Sequence, residues 1–137
     1  TVLDEGNREG LAIEIGTSLP SGHVVRVLAQ LVALHGAPAR LRCDNGPEFL
    51  AAGLAQWCAA TGIQVHHIQP GKPNQNAFIE RFNRTYRTEV LDAWVFTSLQ
   101  EVRDVTASWL TRYNTERPHR SLGRVPPQTF LPRTQAA

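Results

Sequence analysis

The sequence predicts an α/β fold in which neighbouring strands run parallel, and three observations carry that prediction. Strand-like and helix-like segments alternate through the first half of the 137 residues. Such an order implies parallel strands joined by right-handed crossovers. Turn residues (Gly6, Gly10, Gly36, Gly62) fall at the segment boundaries, and no run approaches the ~18 apolar residues of a membrane helix.

Thr1-Val-Leu reads as the tail of a hairpin partner for Leu11-Ala-Ile-Glu-Ile, whose branched residues alternate, with a turn across Gly6–Gly10 between them. Pro20 and Ser21 open a helix with Val24, Val27, Leu28, Leu31 and Leu34 on its apolar face, closed by Gly36. Ala39 to Cys43 is a second short strand. Pro47 suits the first position of a helix that buries Leu50, Leu54, Trp57 and Cys58 and ends at Gly62. Ile63-Gln-Val-His-His-Ile is a third strand, followed by the polar loop Gln69-Pro-Gly-Lys-Pro-Asn-Gln. From about Asn76 a helix repeats Phe78, Phe82, Tyr86 and Val90 at four-residue spacing. Ser98-Leu-Gln-Glu101 is a capping box for a last helix burying Val102, Val105, Trp109 and Tyr113. Trp57, Trp94 and Trp109 read as core. The tail from Asn114, with Pro118, Pro126, Pro127 and Pro132, is expected to be mostly extended.

Apolar residues make up 42% and charged ones 19%, an ordinary balance for one globular domain. The net charge of +2 hides an asymmetry. Up to Gln69 four arginines face six acids, whereas from Pro70 ten cations face six acids. Thirteen of the fourteen cations are arginine, whose fork suits phosphate, so the second half hints at nucleic acid. Two cysteines are too few for a disulfide framework and fit a reducing compartment, which makes cytoplasm the default. Without a methionine at position 1, Thr1 is expected to be an internal residue of something longer. Cys43, Cys58, His66 and His67 match no familiar zinc spacing, and adjacent histidines on a strand point to opposite faces.

Asp44 ends a strand, and the carboxyl ends of parallel strands are where ligands bind. It could equally cap the Pro47 helix. Glu80 lies opposite the phenylalanines, with Asn76, Asn83, Arg84 and Arg87 on its face. The plain reading is a solvated face with a weak Glu80–Arg84 pair. The alternative is that Asp44 and Glu80 hold divalent metal at a DNA phosphate.

Cys43-Asp-Asn-Gly-Pro-Glu-Phe, Gln69-Pro-Gly-Lys-Pro-Asn-Gln-Asn-Ala-Phe-Ile-Glu-Arg-Phe-Asn and Tyr113-Asn-Thr-Glu-Arg-Pro-His-Arg-Ser-Leu resemble three signatures of bacterial insertion-sequence transposases that share the retroviral integrase core. Thirty-five residues separate Asp44 from Glu80, matching the last two members of that family's Asp, Asp, Glu triad. The resemblance covers nearly the whole chain. It implies a ribonuclease-H-like mixed sheet flanked by helices, with the catalytic core over 1–125 and an extended tail over 126–137. It also implies two Mg2+ or Mn2+ ions held by Asp44 and Glu80, strand cleavage at transposon ends, and attack of the freed 3′-hydroxyl on target DNA. Asn45, Gly46, Lys72, Gln75 and Asn76 fall in the surrounding motifs; Lys72 and Arg84 or Arg87 are expected to touch phosphate. Double-stranded DNA, a homo-oligomeric assembly and a bacterial cytoplasm, beside the nucleoid, complete the implied setting.

By the same resemblance, the first Asp belongs to a strand that precedes the opening hairpin, and that strand is missing here. Asp4 matches a loop acid instead. This chain alone is therefore expected to be inactive and marginally stable or prone to associate. The competing readings are a non-catalytic DNA-binding or assembly remnant and a structure-selective nuclease; Tyr113–Leu122 argues against the nuclease. Arg117-Pro-His119 reads physically as a helix stop and turn, without a derivable role.

Overall fold

The structure, a computed structural model, describes residues 1–132. In chain order its elements are β1 (Val2–Leu3), β2 (Gly10–Ala12), α1 (Ser21–His35), β3 (Arg40–Cys43), α2 (Pro47–Leu50), α3 (Ala52–Thr61), β4 (Gln64–His67), α4 (Ala77–Tyr86), α5 (Leu99–Thr115) and α6 (Pro127–Phe130). Single 3-10 turns lie at Pro73–Asn76 and Arg120–Leu122, and a π-helical turn at Arg87–Leu91 follows α4. Among the described residues these elements form two compact units: Thr17–Ala77, and Thr1–Gly16 with the chain from Phe78 to residue 132. β1 pairs antiparallel with β2, β3 pairs parallel with β4, and no ladder joins the two sheets among the described residues.

In the Thr17–Ala77 unit, β3 and β4 run in register from Arg40 beside Gln64 to Cys43 beside His67. This is the parallel pair the strand–helix–strand order requires, with the intervening helices as crossover. Helix α1 starts and stops where Ser21 and Gly36 predict, and the Gly36 N–H closes on the Val32 carbonyl at φ +82°. Leu34, placed on the apolar face by spacing, is 65% exposed, because the last turn of α1 runs beyond its packing partners. The core comprises Val27, Leu28, Cys43, Leu54, Cys58 and Ile63; burying Leu54 completely is worth about 2 kcal/mol. The helix expected from Pro47 to Gly62 is broken at Ala51, whose ψ of 141° is extended, and nothing in the local sequence marks the break. Gly62 adopts the left-handed conformation and ends α3 with its N–H on Ala59 and Cys58.

The other unit is built on aromatic rings. Phe82 and Tyr86 of α4 and Val90 of the π turn pack against Trp109 and Tyr113 of α5. Phe82 meets the Tyr113 ring edge-on at 5.1 Å, and Tyr86 lies 5.3 Å from Trp109. Pairs in this range add about 0.5–1.5 kcal/mol beyond burial. The capping box is present with one change. Ser98 Oγ accepts from the Glu101 N–H at 3.1 Å, but Glu101 reaches back to the N–H and hydroxyl of Thr97. Gly10 lets β2 approach this core, since a Cβ there would stand 2.6 Å from Leu110 and 2.8 Å from the Phe82 ring. β2 ends at Ala12, short of the expected Ile15.

Four expectations of burial or extension are corrected here, the first being Leu50, which is 58% exposed. Phe78, read as buried, is 43% exposed and carries the Arg8 guanidinium 3.7 Å above its ring. Trp94, read as core, is 53% exposed, because the helix ends at Leu91 and leaves it in the connecting loop. The tail expected to be extended contains α6, since Pro126 takes the cap position and Pro127, fully buried, the first helical one. Residues 133–137 of that tail lie outside the described ones.

The Tyr113–Leu122 signature acquires a physical role as a clasp. Arg117 Nη1 bonds Glu89 Oε1 at 2.5 Å, and Trp109 donates its indole N–H to Glu89 Oε2 at 2.7 Å. The His119 ring stands edge-on to Tyr113 at 4.9 Å, and the His119 backbone N–H donates to the Val125 carbonyl. The motif thus ties the end of α5 to the π turn.

Candidate active site

The residues singled out from the sequence divide between the two units. Asp44, Asn45, Gly46, Lys72, Gln75 and Asn76 belong to Thr17–Ala77; Glu80, Arg84 and Arg87 belong to the other.

Asp44 follows the last residue of β3, at the carboxyl end of a parallel strand. Of the two readings left open, the helix-cap reading is not the one adopted. Gly46 occupies the cap position of α2 without any side-chain bond, and Asp44 Oδ1 instead accepts the Gly46 N–H at 2.8 Å. That bond turns the chain sharply and fixes the carboxylate while leaving it exposed. Glu48, the second residue of α2, joins it. The point where a Cβ on Gly46 would stand is 2.9 Å from both Glu48 oxygens and 3.0 Å from Asp44 Oδ1. Glycine therefore keeps open a small space onto which two carboxylates converge. Glu48 was missed in the sequence; its signal was present, since it stands in the same motif and in the first turn of a proline-started helix.

The loop from Gln69 to Asn76 is tied to this turn. Asn45 Nδ2 donates to the Ile68 carbonyl at 2.9 Å, directly after β4. Gln75 Oε1 accepts the Gln69 N–H at 2.8 Å, and Arg42 donates to the Gln75 carbonyl. Asn45 and Gln75, expected near DNA, therefore shape the loop through these bonds. Lys72 caps the 3-10 turn with its backbone, and its side chain is exposed; Asn76 ends that turn.

Hard carboxylate oxygens suit Mg2+ or Mn2+, and Mg2+ commonly takes only one or two carboxylates and keeps its waters. The donor set around Gly46 fits that requirement. No group of three or more His, Cys, Asp or Glu side chains gathers for a metal among the described residues. Cys43 Sγ lies 3.5 Å from His67 Nδ1, but burial, then the charge of Asp44 and the Cys58 thiol, push its pKa up to about 11. A thiol so held stays protonated at neutral pH and is a poor metal ligand.

Glu80 sits in the first turn of α4, exposed, on the side away from buried Phe82 and Tyr86. Arg84 and Arg87, also exposed, follow at i+4 and i+7 on the same face. The aromatic core behind Phe82 fixes the helix, so the direction in which Glu80 points is set by packing rather than by its own contacts. Past Tyr86 the π turn brings Glu89 to Trp109 and Arg117. Burial alone would raise the Glu89 pKa, but the bonds from Arg117 and Trp109 and the charges of Arg117 and Arg112 outweigh it and hold the carboxyl below its usual value.

Two family profiles, both described as Integrase core domain, match residues 1–73 and 61–127. An uncharacterized 39.2 kDa protein of insertion element IS476 from Xanthomonas euvesicatoria is 44% identical over 139 residues, covering 100% of this chain and 40% of the relative. An uncharacterized 31.7 kDa protein of insertion element IS407 from Burkholderia multivorans is 38% identical over 136 residues, covering 99% and 49%. The chain thus spans less than half the length of each. Among solved structures, the HTLV-2 integrase catalytic core domain in complex with magnesium superposes with a TM-score of 0.66 at 17% identity, covering 90% of this chain and 77% of that one. At that identity the likeness establishes the fold, that of the integrase catalytic core.

Proposed function

The chain belongs to the integrase core family, in the branch borne by bacterial insertion elements, and from that premise we propose that it serves the metal-dependent breakage and joining of DNA in transposition. The observation that carries this reading is the placement of Asp44. Its carboxylate stands at the end of a parallel strand, held by one N–H, beside a second carboxylate and over a residue with no side chain.

Asp44 and Glu80 are the metal-holding acids of this reading, with Glu48 close to Asp44. Two ions, Mg2+ or Mn2+, would activate the attacking oxygen and offset the charge that develops on phosphate. The chain's own part is positioning. Asp44 is fixed by its turn, Glu80 by the helix behind it, and Lys72, Arg84 and Arg87 hold phosphates without reading sequence. Asn45, Gly46, Gln75 and Asn76 form the loop walls against which a strand lies. In the first step the oxygen of water bonds to phosphorus and the P–O3′ bond breaks, which frees a 3′-hydroxyl at the transposon end. In the second, that hydroxyl oxygen bonds to a target phosphorus while the target's own P–O3′ bond breaks. One phosphodiester is lost and one gained, so joining needs no external energy source. The partners are the duplex transposon ends, the target duplex and further copies of the protein.

This chemistry uses three acids, of which Asp44 and Glu80 are two. The test is a nicking and joining assay on duplex DNA with Mn2+. The chain alone should give no product. With the family's preceding strand and its acid restored ahead of Thr1, it should give nicked and joined products that Asp44→Asn or Glu80→Gln abolishes. Cuts without joining would indicate a nuclease, and binding without either would leave a DNA-binding or assembly module. Metal-dependent cleavage by the chain alone, lost in Glu80→Gln, would mean that two acids suffice.

A further inference from the structure

We propose that Arg8 and Arg81 form a second phosphate-contacting surface, extending around α4 from the Glu80 face and taking the backbone of duplex DNA flanking the reacting phosphate. The proposal rests on the DNA-processing reading above and adds residues to it. All of them lie within the unit formed by Thr1–Gly16 and the chain from Phe78.

The first support is helical geometry. At about 100° per residue, Arg84 lies about 40° from Glu80 around α4 and Arg81 about 100°, on the same side. Phe78 follows farther round, toward the buried face of Phe82. Arg81 is exposed. Arg8 then continues the row from another element, its guanidinium carbon 3.7 Å above the exposed Phe78 ring. Arg84, Arg81 and, through Phe78, Arg8 are thus placed in one row along the flank of the helix.

The second support is that Arg8 is held in place. Its backbone sits at φ +64°, a region costly for a residue with a side chain. The neighbours on either side brace it from beneath. The Asn7 amide donates to Glu9 Oε2 at 3.2 Å, the Glu9 N–H donates to Asn7 Oδ1 at 3.0 Å, and both side chains are buried. The turn therefore holds the half-buried Arg8 with little freedom left to lose on binding. Stacking on Phe78 does not neutralise the cation as a carboxylate would, so its charge remains available to an anion.

The third support is that these charges converge. Burial lowers the His119 pKa, and Arg117, Arg81 and Arg8 all push it the same way. The same three arginines act on Tyr113. Arg117 acts most strongly of the three and is itself paired with Glu89, and Arg81 and Arg8 add to the same positive field. Arginine forks of this kind match phosphate oxygens and contribute no base preference.

The experiment measures binding of the chain to an arbitrary 30-base-pair duplex in EDTA, from 50 to 200 mM salt, for the parent and Arg8→Gln/Arg81→Gln. Each phosphate contact contributes about 0.9 to the salt slope. The double variant should therefore lose about 2 from that slope, and its affinity should fall about tenfold less across this salt range. A charge-matched Arg26→Gln/Arg40→Gln variant in the other unit should keep more of the parent slope, and Arg81→Glu alone should weaken binding without lowering the melting temperature. An unchanged slope in the double variant, an equal loss in the charge-matched control, or equal binding of polyglutamate in competition would each overturn the proposal. Because EDTA removes the metal, this readout registers binding without cleavage or joining. Failure here is thus separate from failure of the strand-transfer reading.

Discussion

Asn114 grips Gly10 from both sides of its peptide unit: Oδ1 accepts the Gly10 N–H at 2.9 Å, and Nδ2 donates to the Gly10 carbonyl at 2.8 Å. Both residues are buried, and 104 positions separate them. The side chain stands in for a neighbouring strand at this point of β2, and it belongs to the Tyr113–Leu122 signature. Asn114→Ala strands two buried backbone groups at about 1–3 kcal/mol each. The expected loss is about 2–4 kcal/mol, read as a lower midpoint in urea unfolding. A loss below about 0.5 kcal/mol would mean that Gly10 finds other partners.

Glu89 makes stability depend on acid. Its folded pKa lies below the ordinary 4.5 because the bonds from Arg117 and Trp109 outweigh burial. Its contribution is therefore complete above about pH 4.5 and is lost as pH falls through the lower folded value. With the pair 41% and 37% exposed, solvent screening keeps it under about 1 kcal/mol. Glu89→Gln should melt below the parent at neutral pH, and the gap should close as the pH falls below 4.5.

His119 acts in a different window. Burial and the charges of Arg117, Arg81 and Arg8 lower its pKa from 6.5, and its buried Nε2 has no hydrogen-bond partner among the described residues. The unfolded chain thus takes up a proton more readily, and this group costs stability as pH falls below about 6.5. His119→Gln should flatten the melting-temperature profile between about pH 6.5 and 5. An unaltered slope would place the titration elsewhere.

Gly46→Ala separates metal binding from folding. Its φ of −59° suits any residue, so the melting temperature should move little. A Cβ would nevertheless press on both carboxylates at 2.9–3.0 Å. Manganese affinity, followed by electron paramagnetic resonance, should weaken severalfold. Equal affinity would mean that the open space at Gly46 is not where the ion sits.

Much of this was written in local sequence. The Pro20–Gly36 helix, the parallel pair ending at Asp44 and the capping box at Ser98 depend on residues near one another, and each appears where its signal lies. Motif and spacing singled out Asp44 and Glu80, which stand at the carboxyl end of β3 and in the first turn of α4. What escaped depends on distant partners. Periodicity put Phe78 inside, but Arg8 from another element reaches it first. Glu48 was visible as a letter, yet its convergence with Asp44 follows from the turn that Gly46 allows. The role of Arg117 required Glu89, 28 positions away.

The π turn at Arg87–Leu91 changes how this helix can be redesigned. Glu89 is seven positions after Phe82, so an uninterrupted α-helix would swing its carboxylate onto the face that Phe82 occupies. The wider turn lets Val90 take the buried place and leaves Glu89 at the rim. Deleting Val90 would regularise the helix and leave Glu89, still seven positions after Phe82, turned toward the rings. A spacing that looks like an irregularity therefore fixes the length of this segment, and insertions or grafts are better made before Ala77 or after Asp92.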